Sequence, residues 1–115
     1  MNNKYFPTIS VCVLVNNEAS KIADFVASVI DLADEIVFAD RGSTDGTLEI
    51  IKKLADRNDK KIKLYHYTFD PKEGMHFGKA KNFVIEKATK DFIFCLDADE
   101  RPSDAFKENI RSFLV

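Results

Sequence analysis

The sequence lacks a charge excess, long apolar runs and a cysteine framework. Its 115 residues include 17 Lys plus Arg and 19 Asp plus Glu, giving a net charge of −2, whereas a nucleic-acid-binding protein shows a basic excess or stripe. The apolar runs have the length of strands, so no transmembrane helix is predicted, and the N-terminus lacks the apolar core of a signal peptide. Both cysteines, Cys12 and Cys95, lie in apolar runs and are predicted to be buried thiols. We expect one cytoplasmic domain over residues 1–115, without nucleic-acid partners.

Several cofactor-binding and catalytic patterns are also missing. No Gly-x-Gly-x-x-Gly occurs, and the small-residue turn Arg41–Thr47 lacks P-loop spacing, which disfavours a dinucleotide-binding Rossmann domain. No Ser/His/Asp or Cys/His constellation supports a hydrolase. His66 and His76 have no metal-ligand spacing with each other or with a cysteine, and we assign both a structural role.

Segments with strand and helix periodicity alternate along the chain. Four apolar runs predict strands at Thr8–Val15, Ile36–Ala39, Lys61–Tyr67 and Phe92–Leu96. A helix with a one-sided apolar stripe follows each strand, the third one over about residues 77–89. The order predicts a Rossmann-like three-layer α/β/α fold with a mainly parallel sheet and helices on both faces. We expect the third strand near a sheet edge and the fourth to be buried.

Helix caps and core positions follow from the same patterns. Asn17 is the predicted N-cap of the first helix, Ser43 or Thr44 that of the second, and Ser103 that of the last. The loop before the third helix is predicted at Asp70–Met75. The predicted core stripes consist of Ile22, Phe25, Val26, Val29 and Ile30; Leu48, Ile51 and Leu54 or Ala55; Ala80, Phe83 or Val84, and Ala88; and Phe106, Ile110, Phe113 and Leu114.

Asp97 and Asp99 follow directly on the fourth strand. In extended backbone they would point to the same side, and at roughly 6–7 Å with an effective dielectric near 20 their repulsion would be about 2–3 kcal/mol. A divalent cation with oxygen ligands would offset this repulsion. The alternative is a pair of solvated carboxylates in a surface turn.

Further polar residues follow the other strands. Asn16–Glu18 and Asp40 fall at carboxyl ends of parallel strands, the edge of an α/β sheet where ligands collect. Asp40 is suited to accept a hydrogen bond from a base or a ribose hydroxyl, although it could simply be a turn residue. Lys79 and Lys81 begin the third helix, where a lysine can meet a diphosphate, or they could form a solvated helix face.

Four blocks in series carry a family resemblance: VLVNNEASKI, DEIVFADRGSTDGTLEI, FGKAKNFVIEKA and DFIFCLDADERPS. Together they resemble the nucleotide-binding half of family 2 glycosyltransferases, which have the GT-A fold. They are most similar to bacterial enzymes that extend lipopolysaccharide core and related glycans. The resemblance implies a nucleotide-sugar donor, commonly UDP-linked, inversion at the anomeric carbon, and a glycan or lipid-linked acceptor. It also allows peripheral contact with the inner face of the membrane.

The resemblance assigns roles to individual residues. It implies that Asn16 and Glu18 line the nucleotide pocket and that Asp40 hydrogen-bonds the base. Lys81 would face the diphosphate. Asp97 and Asp99 would form the metal motif for Mn²⁺ or Mg²⁺, with Asp99 the better candidate for direct coordination and Asp97 also among the nucleotide-sugar-binding residues. The sequence departs from the family at Arg41, where a small or acidic residue is usual, and at Asn16, where Lys or Tyr is common.

The second half of such enzymes, which carries the acceptor site and the catalytic base, has no match in this sequence. We therefore expect the chain to bind donor and metal without completing transfer. Its last residues lie inside an apolar helical stripe, from which we expect the front part of a longer protein and self-association through this helix. One alternative is a non-catalytic nucleotide- or sugar-binding module. An Asp-x-Asp phosphohydrolase is disfavoured because Asn16 and Asn17 stand where its nucleophilic aspartate would be.

Overall fold

A computed structural model describes residues 7–58, 61–68 and 77–114, with side chains for residues 7–58, 61–68 and 78–110. Four strands and four helices alternate in the predicted order. They are β1 (Ile9–Val15), α1 (Ala19–Val29), β2 (Glu35–Asp40), α2 (Thr47–Arg57), β3 (Ile62–His66), α3 (Phe77–Lys87), β4 (Phe92–Cys95) and α4 (Asp104–Leu114).

The strands form one parallel sheet in the order β3-β2-β1-β4. In β1, Cys12 is in register with Val37 of β2 on one side and with Cys95 of β4 on the other. The strand order reverses between β1 and β4, and this is the position at which open α/β sheets bind their ligands. The predicted three-layer α/β fold with a parallel sheet is confirmed.

Helices cover both faces of the sheet. On one face Phe25 and Ile22 of α1, Ile51 of α2 and Ile110 of α4 join a buried core with the alternate residues of β1 and β2. On the other face Val84 of α3 packs in a smaller core. The split follows from topology, because the connection to β4 must cross to the opposite edge of the sheet.

The predicted burial of β4 is wrong. β4 lies at a sheet edge with β1 as its neighbour, and its residues Phe92 and Ile93 are 37% and 40% exposed. Cys95 is exposed as well, contrary to its prediction, whereas Cys12 is buried. Burial, reinforced by the nearby Cys95 and Glu35, raises the pKa of Cys12 to about 12, so its thiol stays protonated. β3 lies at the other edge, as predicted.

Two predicted N-caps are also wrong. Glu18 occupies the N-cap position of α1, because Asn17 adopts a left-handed conformation (φ 57°) and turns its side chain to the next loop. α2 begins after Gly46, whose φ of 99° is also left-handed, so Ser43 and Thr44 precede the cap. Ser103 does cap α4, since its Oγ accepts a 3.0 Å hydrogen bond from the amide of Phe106.

Core predictions for the helices mostly hold. Ala80, Val84, Ile51 and Ile110 are buried, whereas Phe106 is 41% exposed. Half-buried positions are Ile30, Leu48, Leu54, Ala55, Phe83 and Ala88. The predicted loop Asp70–Met75, His76 and the side chains of Phe113 and Leu114 lie outside the described residues. No helix in the described ranges is long and apolar enough to cross a bilayer.

A buried carboxylate ties the amino ends of the strands together. Glu35 of β2 is 1% exposed and accepts hydrogen bonds from Ser10 Oγ and Lys63 Nζ, each at 2.5 Å. The amide and hydroxyl of Thr89, just before β4, donate to the same carboxylate at 2.8 and 3.0 Å. Burial alone would raise the pKa of Glu35, but these hydrogen bonds outweigh it and lower the pKa to about 2.

Candidate functional site at the carboxyl edge of the sheet

The loops after β1 and β2 are hydrogen-bonded to each other. The side chain of Asn17 accepts a 2.7 Å hydrogen bond from the amide of Thr44, and the amide of Asn17 donates to Ser43 Oγ at 2.9 Å. Asn17 can make this exchange because asparagine tolerates the left-handed conformation. The two loops therefore form one hydrogen-bonded unit.

The same unit caps α1 from outside its own loop. The amide of Glu18 donates to Thr47 Oγ1 at 2.9 Å, and the amide of Ala19 donates to Asp45 Oδ2 at 3.2 Å. The hydroxyl of Thr47, the amide of Ala19 and the amide of Thr47 together lower the pKa of Asp45. A carboxylate at a helix N-terminus is also favoured by the helix dipole. Asp45 and Thr47 thus complete an end of α1 that its own sequence leaves uncapped.

Asp40 lies at the end of β2 and is 2% exposed. Its Oδ2 accepts hydrogen bonds from the amides of Gly42 at 2.9 Å and Ser43 at 3.1 Å, and Oδ1 is 3.3 Å from the latter amide. Gly42 has a φ of 105°, which favours glycine at this turn. A carboxylate has about four acceptor positions, so Asp40 can hold this turn and still accept a further hydrogen bond.

Asp97 and Asp99 lie in a turn beyond β4 and not in extended backbone. The amide of Glu100 donates to the carbonyl of Asp97 at 2.9 Å, and the amide of Asp97 donates to Glu100 Oε1 at 2.7 Å. The expected strand-like alternation of the two aspartates is therefore wrong, because the ladder to β1 ends with the amide of Leu96. Glu100 acts as the cap of the Asp97–Glu100 turn.

This turn borders a cleft of about 390 Å³, hereafter the main cleft, at the point where the strand order reverses. Its walls carry three carboxylates and three cationic side chains, so the cleft suits an anion that arrives with a metal ion. The residues lining it are Leu14, Glu18, Lys21, Arg41, Lys81, Asp97, Ala98 and Asp99.

Lys81 projects from the first turns of α3 onto this edge. It also lines a small cavity beside Cys95 and Asp97. Burial raises the pKa of Cys95, and the positive charge of Lys81 opposes that rise, consistent with the ammonium lying close to the end of β4. Lys81 is exposed, which leaves its ammonium accessible to a ligand.

A second cleft of about 340 Å³, the side cleft, adjoins the first, and Arg41 lines both. The other residues lining the side cleft are Asp40, Gly42, His66, Tyr67 and Thr68. The ring of Tyr67 is held by Phe83 of α3, with ring centroids 5.1 Å apart. The side cleft thus offers a fixed aromatic ring beside a buried carboxylate.

The donor set of the main cleft fits a hard divalent cation only in part. Asp97 and Asp99 provide carboxylate oxygens, the ligands preferred by Mg²⁺ and Mn²⁺. Yet within the described part of the chain no three His, Cys, Asp or Glu residues form a group that could hold a metal ion. Mg²⁺ characteristically keeps several waters and takes its remaining ligands from substrate phosphates. Two protein carboxylates are compatible with such a site.

The structure brings most of the sequence-predicted site residues to one edge. Glu18, Lys81, Asp97 and Asp99 line the main cleft, and Asp40 lines the side cleft. Asn16 is half-buried in the loop after β1 and lines neither of these two clefts.

Sequence reasoning missed four residues at this edge. Lys21 lies one helical turn beyond Glu18, and Tyr67 and His66 come from the carboxyl end of β3. The spacing and the strand end are signals that could have identified them. Asp45 gives no such signal, because its role depends on a contact between two loops.

Comparisons with known proteins agree with this geometry. The model of glycosyl transferase family 2 matches residues 10–114. The SPbeta prophage-derived glycosyltransferase SunS of Bacillus subtilis is 39% identical over 103 residues, which cover 90% of this chain and 22% of SunS.

Among solved structures, S. aureus TarS superposes with a TM-score of 0.74 at 26% identity, covering 93% of this chain and 32% of that one. Glucosyl-3-phosphoglycerate synthase from Mycobacterium tuberculosis shares the fold, with a TM-score of 0.59 at 24% identity over 81% of this chain and 34% of the synthase chain. The chain thus spans between about a fifth and a third of the length of these relatives. Because the family model covers nearly all of its residues, the chain belongs to glycosyl transferase family 2.

Proposed function

We propose that this chain binds a nucleotide-sugar donor, UDP-linked, and supplies the donor-binding part of an inverting glycosyltransferase. The observation that carries the proposal is the main cleft, in which Asp97 and Asp99 face Lys21, Arg41 and Lys81 at the reversal point of the sheet. A nucleoside diphosphate with a divalent cation matches this arrangement, because cationic side chains bind the phosphates and carboxylates bind the metal.

Two relatives support this assignment. SunS is described as a glycosyltransferase, and the structure of the M. tuberculosis synthase contains Mn²⁺ and UDP. We infer that Asp97 and Asp99 would hold Mn²⁺ or Mg²⁺. When bound, such an ion would neutralise the diphosphate as a Lewis acid and orient it as a leaving group.

The donor would occupy both clefts, with different residues of the chain binding its base and its diphosphate. The base would occupy the side cleft, where Asp40 accepts a hydrogen bond and Tyr67 offers a ring for stacking. The diphosphate would lie in the main cleft against Lys81 and Lys21. Arg41 lines both clefts, so its guanidinium is placed to contact the phosphate next to the ribose.

The transfer step needs a base that this proposal does not assign to the chain. In transfer, the acceptor hydroxyl oxygen forms a bond to the anomeric carbon as the bond from that carbon to the diphosphate oxygen breaks. The electron pair leaves with the diphosphate, and the hydroxyl proton passes to a general base. Glu100 is the carboxylate closest in sequence to the metal motif, but its side chain caps the turn at Asp97. A glycan or lipid-linked acceptor, and a location at the inner face of the membrane, rest on the resemblance and stay predictions.

Calorimetric titration tests the proposal. UDP and GDP are titrated into the chain with Mn²⁺ and then with EDTA, using the wild type and Asp99→Ala. We expect UDP to bind the wild type with Mn²⁺, and we expect Asp99→Ala to lower this affinity by at least roughly tenfold, since one of two protein ligands is lost. Asp56→Ala removes an exposed carboxylate on α2 and serves as the matched control.

Different outcomes contradict different parts of the proposal. Equal UDP affinity of the wild type and Asp99→Ala in Mn²⁺ would refute the metal assignment. Absence of UDP and GDP binding to the folded wild type would refute the donor site in this chain. A further outcome is that the chain binds UDP and the nucleotide-sugar donor but never supports transfer when it is combined with a longer relative. That result would favour the alternative, a non-catalytic binding module.

A further inference from the structure

Arg101 follows the metal motif and makes three hydrogen bonds to backbone carbonyls. One guanidinium nitrogen, Nη1, donates to the carbonyl of Ala98 at 2.6 Å and to that of Glu100 at 2.9 Å. The other, Nη2, donates to the carbonyl of Lys21 in α1 at 3.3 Å. A planar guanidinium with five donors is suited to bridge several acceptors in this way.

The same guanidinium lies over the core. Its carbon Cζ is 5.7 Å from the centroid of the Phe25 ring, within the range of a cation–π contact. Phe25 is fully buried and packs edge-on against Phe38 at 6.3 Å. The position of Arg101 is therefore fixed by a ring that cannot move without disturbing the core.

These contacts join two walls of the main cleft. One wall is the Asp97–Glu100 turn, which carries both proposed metal ligands, and the other is the first turn of α1, which carries Glu18 and Lys21. The hydrogen bonds between Asp97 and Glu100 close the turn but lie within it. The contacts of Arg101 with the Lys21 carbonyl and the Phe25 ring, by contrast, connect the turn to α1.

We propose that Arg101 is a positioning residue for the metal site. It holds the Asp97–Glu100 turn against α1 so that the two aspartates face the same ion as the diphosphate. Residues that hydrogen-bond to the metal-binding segment, and so orient the metal ligands, affect metal affinity without contacting the metal. The inference rests on the proposed function, because it concerns the geometry of that same cleft.

The experiment compares Arg101→Ala and Arg101→Lys with a matched control. Lys107 of α4 also fastens to α1, donating to the carbonyl of Ser28 at 2.9 Å and lying 3.7 Å from Asp31, but it does not line the main cleft. Lys107→Ala therefore removes a similar tether from α1 without touching the metal turn.

The first readout is the Mn²⁺ concentration that gives half-maximal UDP binding in calorimetry. We expect Arg101→Ala to raise it by roughly tenfold or more, with UDP affinity in EDTA changed by less than about twofold. Arg101→Lys should fall between, because an ammonium keeps the charge but cannot reproduce the fork of donors. Lys107→Ala should lower thermal stability and leave the Mn²⁺ midpoint unchanged.

The second readout needs no ligand. Hydrogen exchange of the Asp97 and Glu100 amides should be faster in Arg101→Ala than in the wild type and unchanged in Lys107→Ala. If Arg101→Ala does not fold, Arg101→Lys is measured in both ways. A Mn²⁺ midpoint and exchange rates equal to those of the wild type would overturn the positioning role. If the wild type binds no UDP, the proposed function fails, and the exchange rates alone decide whether Arg101 holds the turn.

Discussion

At the scale of single residues, the carboxylate of Asp40 has a structural role in its own turn and a proposed role in binding the base. It is 2% exposed and accepts hydrogen bonds from the amides of Gly42 and Ser43, so it holds the turn that begins the second loop. The proposed base contact would use the remaining acceptor capacity. Loss of Asp40 should therefore affect both the shape of the loop and recognition of the base.

Asp40→Ala should weaken UDP binding with or without Mn²⁺ and should lower the free energy of unfolding by about 1 kcal/mol, because the part-buried amide hydrogen bonds of Gly42 and Ser43 lose their acceptor. Asp40→Asn keeps one carbonyl oxygen and should be milder in both respects. Calorimetry with UDP and with inorganic diphosphate, each in Mn²⁺, separates the two roles. Base recognition predicts that diphosphate binding is less affected than UDP binding. Equal losses for both ligands would assign Asp40 to the turn alone, and equal UDP affinity in wild type and Asp40→Ala would exclude the base contact.

At the scale of elements, the Glu35 network joins the amino ends of strands that are distant in sequence. The carboxylate accepts hydrogen bonds from Ser10 of β1, from Lys63 of β3 and from Thr89, which precedes β4. The pKa of Glu35 is lowered from 4.5 to about 2, so between these values the unfolded chain binds a proton that the folded chain does not. Stability from this group is present above pH 4.5 and is lost as the pH falls towards 2.

We expect Glu35 to contribute about 3 kcal/mol at neutral pH. Urea unfolding of the wild type and Glu35→Gln from pH 6 to pH 2 measures this contribution. The wild type should be the more stable at pH 6, and the difference should shrink between pH 4.5 and 2, while other carboxylates affect both proteins equally. Parallel curves over the whole range would contradict the assigned role of Glu35.

Elements could be predicted from the sequence where local periodicity determines them. The β-branched run of β1 and the stripe of Phe25 and Val29 in α1 depend on neighbours in the chain, and both were correct. The exposure of Phe92 depends on strand order, which a short apolar run does not encode. The uncapped end of α1 depends on Asp45 from another loop, and local sequence at Asn17 predicted the wrong cap for this reason.

The positions of the candidate site residues in the fold could be predicted to the same extent. Strand ends indicated Asp40, Asp97 and Glu18, because polar residues that interrupt apolar runs mark the carboxyl edge of a parallel sheet. The turn geometry of Asp97 and Asp99 was not predictable from alternation, since the strand ends one residue earlier than the apolar run. The tether from Arg101 to α1 spans 80 residues and becomes visible once the chain is folded.

At the scale of the whole molecule, apolar side chains remain exposed at the β4 edge of the sheet and on α4. Phe92 and Ile93 of β4 and Phe106 of α4 are all exposed, and the ring of Phe106 lies 6.0 Å from that of Phe94 in β4. An edge strand that exposes apolar side chains and carries no charged residue promotes association between protein molecules. We therefore expect the predicted self-association to involve β4 as well as the last helix.

Sedimentation of the isolated chain should show a weight-average mass that increases with concentration. Ile93→Lys places a charge on the edge strand and should reduce this increase. Ala27→Lys adds the same charge at an exposed position of α1 and should leave it unchanged. A concentration-independent monomer mass for the wild type would contradict self-association.

Because β1 lies in the middle of the sheet, its two neighbouring strands join it at different stages of translation. β1, β2 and β3 pair with neighbours in sequence, so the loops that hold Asp40 and Glu18 can assemble while later residues are still being translated. β4 pairs with β1, and the amide of Thr8 donates to Asp91 Oδ2 across 83 residues, so the Asp97–Glu100 turn joins the sheet after β1, β2 and β3 have been made. A nascent chain can therefore form the loops that hold Asp40 and Glu18 before the Asp97–Glu100 turn reaches the sheet.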